Sequence, residues 1–336
     1  MRAHRLVGVF CGFAFAVATP AALAEQPLQL RIGWAVAPAQ LTPLLFEKKE
    51  LLRHYGRSYT VKLVHFAGTP PQITAFATKE LEIANLAFSS FGLAIQNAHM
   101  QDIRVVADVV QDGAPGHYSD DYLVLANSGI ARVEDLKGKV LASNAFGAAI
   151  DIALRKMLRD HGLEDKRDYT MVEVAFPNTI AAIEEKKIAL AGLPLPFSSV
   201  AASSGKFRTL FTMRDAMGPV QLTFLVMHAP FIAAHRAQLV DFLEDVQRAT
   251  HWYLDPKNRA EALGIVARFT KAPVSEFADW LFTQRDFYRD PNARPDLGTL
   301  QQNIDLQRKM GFLHADIDVT RYADLSLVDE AARRLH

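Results

Sequence analysis

Twice in this chain an apolar strand pattern runs into a short loop of small polar residues at the point where an amphipathic helix begins. One junction is Ile83-Ala84-Asn85-Leu86-Ala87-Phe88-Ser89-Ser90-Phe91-Gly92, and the other is Lys139-Val140-Leu141-Ala142-Ser143-Asn144-Ala145-Phe146-Gly147-Ala148. A helix N-terminus carries unpaired N–H groups and the positive end of the helix dipole, so two of them facing one cleft make a site for an anion or a polar head group. The pattern points to capture of a small molecule rather than to chemistry.

The rest of the chain extends that pattern. Leu28, Leu30, Ile32 and Trp34 alternate as a strand should, and after the loop at residues 35–40 a helix is expected to open at Thr42-Pro43 and close near Gly56. Val61 to Phe66 forms a second alternating run, which passes through Gly68 into a helix start at Thr69-Pro70, with a capping hydroxyl and a proline in the first turn. Ile83 to Ala87, a helix from about Ser89, and Ile103 to Val110 continue the alternation, which is the signature of α/β architecture with parallel strands. Residues 111–120 form a polar loop with Gly113, Pro115 and Gly116, and a domain boundary belongs there, before a new strand at Tyr122. In the second unit the helix after Gly147 places Ile150, Leu154, Met157 and Leu158 on one face and stops at Gly162. Strands at Met171 to Phe176 and Ile188 to Leu193 flank a helix at Thr179 to Lys186. The closely spaced Pro194 and Pro196 then read as a rigid loop at a strand end. Leu222 to Met227 mirrors the strand at Tyr122, and from Pro230 the chain is expected to be mainly helical, with one helix at Phe277 to Phe282.

Residues 1–24 read as a secretory signal peptide. Arg2 and Arg5 form a basic start, Leu6 to Val17 is too short to span a bilayer, and Ala22-Leu23-Ala24 is a small-x-small cleavage site before Glu25. Cys11, the single cysteine, falls inside that segment, so the mature chain is expected to have no disulfide and to rely on its core, with the periplasm as the fitting compartment. The 37 basic and 37 acidic residues balance, and no basic stripe of the kind that binds a phosphate backbone is present. Nucleic acid is not an expected partner.

The segment Gly129-Ile130-Ala131-Arg132-Val133-Glu134-Asp135-Leu136-Lys137-Gly138-Lys139-Val140, together with Arg31-Ile32-Gly33-Trp34, Leu81-Glu82-Ile83-Ala84-Asn85, Ala181-Ala182-Ile183 and Ala189 to Phe197, resembles the periplasmic substrate-binding proteins of the ABC importers for nitrate, sulfonates and taurine. Leu195 stands where such proteins often carry a carboxylate, and Lys79-Glu80 where they carry a small residue. The resemblance implies a two-lobed (type II) binding-protein fold with two crossing strands and the ligand closed between the lobes. Lobe one is expected to span residues 25–121 and 222–336, and lobe two residues 122–221. It also implies ABC permease subunits as partners, one small ligand per monomeric chain, and no cofactor.

The expected ligand contacts are Trp34, Thr69, Ser89, Ser90, Tyr118, Asn144, Phe146, Gly147, Pro196 and Phe197. Ser89 and Ser90 could equally be helix caps, and Trp34 a core residue. His117 has no second histidine or carboxylate at metal-ligand spacing, so no metal site is expected. The hydroxyls and helix ends beside so many aromatic residues suggest a small organic anion, a sulfonate or carboxylate with an apolar or aromatic body. An enzyme, or a pyrimidine-related protein on the same fold, is the alternative. The chain lacks G-x-S-x-G, G-x-G-x-x-G and H-E-x-x-H motifs, so catalysis is not expected.

Overall fold

The structure is a computed structural model and describes residues 26–335. The segment read as a signal peptide, with Cys11, lies outside the described residues. No helix among the described residues is long and apolar enough to cross a membrane.

The alternating apolar residues of β1 (Leu28–Trp34) bury Leu30 and Ile32, and β1 pairs in parallel with β2 (Tyr59–His65) after the single turn α1 (Thr42–Leu45). The helix expected to run from Thr42 to Gly56 stops after that turn. Asp245 intervenes: its carboxylate accepts the N–H groups of Arg53 (2.8 Å) and His54 (2.9 Å), so these amides bond a side chain instead of the preceding turn. Helix α2 (Pro70–Ala77) leads to β3 (Ala84–Ala87), which joins β1 through a parallel bridge between Ile32 and Ile83. Helix α3 (Phe88–Asn97) and β4 (Ile103–Asp112) follow.

The chain then crosses to a second sheet. It comprises β5 (Asp121–Leu125), β6 (Val140–Ser143), α4 (Ala149–Asp160), β7 (Thr170–Glu173), α5 (Phe176–Glu184), β8 (Leu190–Leu193), α6 (Phe197–Ser203) and β9 (Phe207–Thr212). A short helix, α7 (Met213–Met217), carries the chain back into β10 (Val220–His228), whose residues Val220 to Met227 are all buried. Helices α8 (Ala229–Leu254), α9 (Arg259–Thr270), α10 (Leu297–Lys309) and α11 (Ser326–Leu335) complete it. The helix expected at Phe277 to Phe282 is a run of turns, and Phe282 has a φ of +58°, which a right-handed helix does not admit.

The two lobes share one plan. With the Ile32–Ile83 bridge counted, the first sheet has the order β2-β1-β3-β10-β4, and the second has β7-β6-β8-β5-β9. In each sheet the strand in the fourth place has come from the other lobe and runs antiparallel to both neighbours. The parallel sheets read from the sequence therefore each hold one antiparallel strand, because each crossing chain enters its new sheet from the opposite end. Both sheets aim the carboxyl ends of their parallel strands at the gap between the lobes, where ligands of open α/β sheets bind.

Packing beside that gap is tight enough to require glycine. A Cβ on Gly192 in β8 would lie 2.4 Å from Ile150 Cγ2 and 2.8 Å from Tyr122 Cε1, and the Tyr122 hydroxyl donates to the Ile150 carbonyl at 2.8 Å. Gly192→Ala is therefore expected to destabilise the protein by about 1–3 kcal/mol through overpacking. Urea unfolding checks this, and an unchanged midpoint would contradict the packing described.

Candidate functional site

A cleft lies between the lobes. From the first lobe its wall takes Ala35, Val36, Ala39 and Gln40 after β1, Gly68 and Thr69 after β2, Ala87 at the end of β3, and Val110 in β4. From the second it takes Asn144, Ala148, Ala149 and Ile150 at the start of α4, Phe176 at the start of α5, and Pro194 after β8. Asp120 in the first crossing, Leu222 and Thr223 in β10, and Phe287 from the C-terminal segment close it.

Local rules place these residues. Gln40 folds its carbonyl oxygen back onto the N–H groups of Ala35 (2.8 Å) and Val36 (3.3 Å), which fixes the loop after β1. Thr69 precedes Pro70 and Pro71 at the start of α2, yet its hydroxyl does not cap that helix; it bonds Ser90 Oγ at 2.8 Å. Gly147 has a φ of +78°, the left-handed turn that lets the chain enter α4. Gly147 donates its N–H to Asp151 Oδ2 at 2.9 Å, and Phe146 donates its own to Glu173 Oε1 at 2.6 Å. Across the gap, a Cβ on Gly68 would sit 2.9 Å from Asn144 Nδ2, so the lobes meet there.

The crossing segment is held by one carboxylate. Asp112, at the end of β4, accepts the Ser119 hydroxyl on one oxygen and the Asp120 N–H on the other, at 2.7 Å. The Asp120 carbonyl takes the N–H of Met213 at 2.8 Å, and Ser119 Oγ takes that of Arg214 at 2.9 Å, which ties the first crossing to the second. Asp120 is 1% exposed, and its Oδ1 has no partner. Asn144 Oδ1 and Thr223 Oγ1 on the same wall are also buried without partners. Burial, reinforced by the nearby Asp112 and Asp121 carboxylates, pushes the Asp120 carboxyl well above its ordinary range. Asp112 is raised too, chiefly by burial, but its two hydrogen bonds favour the ionised form. Burial therefore disfavours ionisation of Asp120 more than that of Asp112, whose two hydrogen bonds favour the charged form.

Of the expected contacts, Thr69 and Asn144 stand on the cleft wall. Others lie one layer behind it. Ser90 is the first-turn partner of Thr69, and Ser89 is wholly buried within α3, whose N-cap position belongs to Ala87, so neither serine caps that helix. Tyr118 bonds Ser198 Oγ at 2.6 Å and packs edge-on against Phe287 at 5.0 Å. Pro196, after a cis peptide bond, is the N-cap residue of α6, and Phe197 stacks on Phe176 at 5.6 Å. Trp34 packs on His65 (4.5 Å) and Phe269 (5.8 Å), away from the wall. Phe146, 48% exposed, and Gly147 line a separate depression with Leu93 and Phe312. Trp34, Phe146 and Phe197 are off the cleft wall, whose larger apolar side chains include Val36, Phe176, Leu222 and Phe287.

The sequence reading missed Gln40, Asp120, Thr223 and Phe287. Asp112, Asp120 and Asp121 around a Gly/Pro loop was the available signal for Asp120. Nothing local could bring in Phe287, which arrives because the Asp286 carbonyl accepts the Tyr118 N–H at 3.1 Å and Arg289 bonds the Ala39 carbonyl at 2.8 Å. Away from the cleft, His54, Asp241 and Glu244 are close enough together to hold a metal ion, but Arg334 and Arg248 already pair with the two carboxylates. That cluster is a charge-balanced anchor for α8.

Two α/β lobes of identical strand order, joined by two crossings and enclosing a cleft, define the periplasmic-binding-protein fold. The chain belongs to the NMT1-like family, whose model matches residues 23–267. Its structure is similar to that of the alkanesulfonate-binding protein SsuA from Xanthomonas axonopodis pv. citri bound to MOPS, with 20% identity, a TM-score of 0.71, and 90% of this chain and 100% of that one covered. It is also similar to the periplasmic aliphatic sulphonate-binding protein SsuA from Escherichia coli (20% identity, TM-score 0.68, covering 90% and 99%). A third similar structure is the periplasmic nitrate-binding protein NrtA from Synechocystis PCC 6803 (15%, 0.71, covering 92% and 89%). No curated protein sequence matches the chain.

Raised carboxyls make stability depend on pH. Burial also pushes Asp108 up to about 7, although Gln221 and the Asp290 N–H bond it. Between about pH 4, where an unfolded aspartate ionises, and about 7, the folded state holds protons that the unfolded state has released. This stabilisation is fully present below the unfolded value and is lost as pH rises through the folded one. The ligand-free protein is expected to melt at a higher temperature at pH 5 than at pH 8, with a smaller difference in Asp108→Asn. Differential scanning calorimetry checks the sign, and a midpoint that rises with pH over this window contradicts it.

Proposed function

We propose that this chain is the solute-binding component of an ABC importer, exported through the leader at residues 1–24, that closes its two lobes on one small molecule and delivers it to a membrane permease. The observation that carries this reading is the cleft itself, walled by both lobes and lined by buried oxygens on Asp120, Asn144 and Thr223 with no protein partner. Buried polar groups in native proteins are almost always bonded, so three unpartnered oxygens on one cleft wall favour a ligand there. The sulfonate- and nitrate-binding proteins of the same fold support the reading.

Capture is favoured over catalysis by the composition of the wall. It offers the hydroxyls of Thr69 and Thr223, the amides of Gln40 and Asn144, and one carboxylic acid, and it places no histidine, cysteine, lysine or arginine beside them. A hydroxyl nucleophile would need an adjacent base. The organic anion read from the sequence would lie against this wall with no cationic side chain to meet it, so its head group would depend on hydroxyl, side-chain amide and backbone N–H donors.

The crossings suggest hinge motion. Strands β4 to β5 and β9 to β10 are the two covalent links between sheets that otherwise keep separate cores, an arrangement suited to rigid-body closure. A compound that raises the melting temperature is expected to shrink the radius of gyration in small-angle scattering. Ala148→Trp, which fills the wall at the start of α4, is expected to cut affinity for that compound at least tenfold. Stabilisation that persists undiminished in folded Ala148→Trp would place the ligand elsewhere, and an unchanged radius would exclude closure.

A further inference from the structure

We infer that the ligand carries a protonated nitrogen, an organic ammonium or amidinium group on an apolar body, which seats against Asp120 and the neighbouring oxygens of Asn144 and Thr223. This rests on reading the cleft as a capture site and names the chemical class that it captures. Asp120 is the sole ionisable side chain on the wall, and it is buried with Oδ1 unpartnered. An ionised carboxylate withdrawn from water needs a cation or several donors, and the protein supplies Oδ1 with neither. Asn144 Oδ1 is likewise an acceptor without a donor, and the Thr223 hydroxyl can turn its lone pairs to a bound donor. Three oxygens awaiting N–H groups describe the complement of an ammonium or amidinium head.

The surroundings argue the same way. Asp112 and Asp121 flank Asp120 in the chain and are already engaged, Asp112 by Ser119 and the Asp120 N–H, and Asp121 by Tyr118 and Thr209. Ionising Asp120 therefore adds a charge to a site that is already negative, and a bound cation restores the balance. The helix end that might have attracted an anion carries its own acid: Asp151, in the first turn of α4, accepts the Gly147 N–H and pairs with Arg155. An anion placed in the cleft would face Asp120 with no arginine or lysine on the wall. Val36, Phe176, Leu222 and Phe287 leave an apolar surface for the body of the ligand, and an aromatic face tolerates a cation near it.

In the ligand-free protein the proton held by Asp120 relieves the same charge. Binding of a cation is then accompanied by release of that proton. The titratable groups that bear on it are Asp112 and Asp121 beside it, and the buried phenols of Tyr118 and Tyr122, which stay neutral.

The test uses matched pairs that share a body and differ in the head: benzylammonium with benzoate, benzamidinium with benzenesulfonate, and aliphatic amines with the corresponding carboxylates. Each is titrated calorimetrically into the wild-type protein and Asp120→Asn, in two buffers of different ionisation enthalpy. The expected result is that a cationic member binds wild type at least tenfold more tightly than its anionic partner. Binding should release a proton near pH 6, and Asp120→Asn should lose at least tenfold in affinity together with the proton release. Circular dichroism establishes that the variant is folded; if it is not, Asn144→Leu, which removes an acceptor from the same wall, is expected to weaken the cation at least threefold. The inference is overturned if no cation of the panel binds, if the anionic members bind as tightly or more tightly, or if folded Asp120→Asn binds the cation as wild type does. Anion binding with contraction in scattering would overturn the ligand class and leave capture between the lobes standing. Failure of every compound, with an unliganded protein recovered from the host, would remove both.

Discussion

The carboxylate of Asp112 fixes the geometry on which the cleft depends. By accepting the Ser119 hydroxyl and the Asp120 N–H it turns the chain out of β4 and across to the second sheet. The same turn sets Asp120 on the cleft wall and lets Met213 and Arg214 of the return crossing bond to it. A Cβ on Gly113 in this turn would lie 2.9 Å from Arg214 Cβ, so the two crossings are also packed against each other. The crossings and Asp120 are therefore parts of one small hydrogen-bonded unit, so the proposed ligand contact falls at the junction between the lobes.

Among the described residues, the buried carboxylates away from the cleft are closely satisfied. Asp245 accepts from Arg53, His54, Tyr59 and Arg248, and the buried Asp286–Arg289 pair completes itself with the carbonyls of Phe287 and Ala39. Against that standard, the unpartnered Asp120 oxygen on the cleft wall stands out. A buried donor or acceptor left unbonded costs about 1–3 kcal/mol, and more when charged. Three such groups on one wall are a cost that the proposed ligand would remove.

Much of the architecture is legible in the sequence because it rests on local rules. The alternation of Leu28, Leu30 and Ile32, the largely apolar run of β10, and the strand-to-helix junctions at Ala87 and Ala148 each follow from burial and chain geometry over a few residues. What escapes such reading depends on distant partners. The segment after α1 does not continue as helix: Lys48 leaves the helical region, and Asp245, almost two hundred residues later, takes the amides of Arg53 and His54. Strand β9 is short and bounded by α7, and its pairing with β5 is visible only once the crossing is known. The site divides in the same way: Thr69 and Asn144 sit where the junction rule puts them, whereas Trp34 and Phe197 are drawn into packing against Phe269 and Phe176. Helix N-termini are visible in a sequence, while the burial of Asp120, on which the proposed ligand charge turns, is not.

The most direct test of this account is native mass spectrometry of the protein isolated from its own host, with the retained molecule released by denaturation and identified. The account predicts one small molecule per chain, bearing a basic nitrogen on an apolar body and missing from Asp120→Asn isolated in the same way. A retained sulfonate, carboxylate or inorganic anion without such a nitrogen would contradict it.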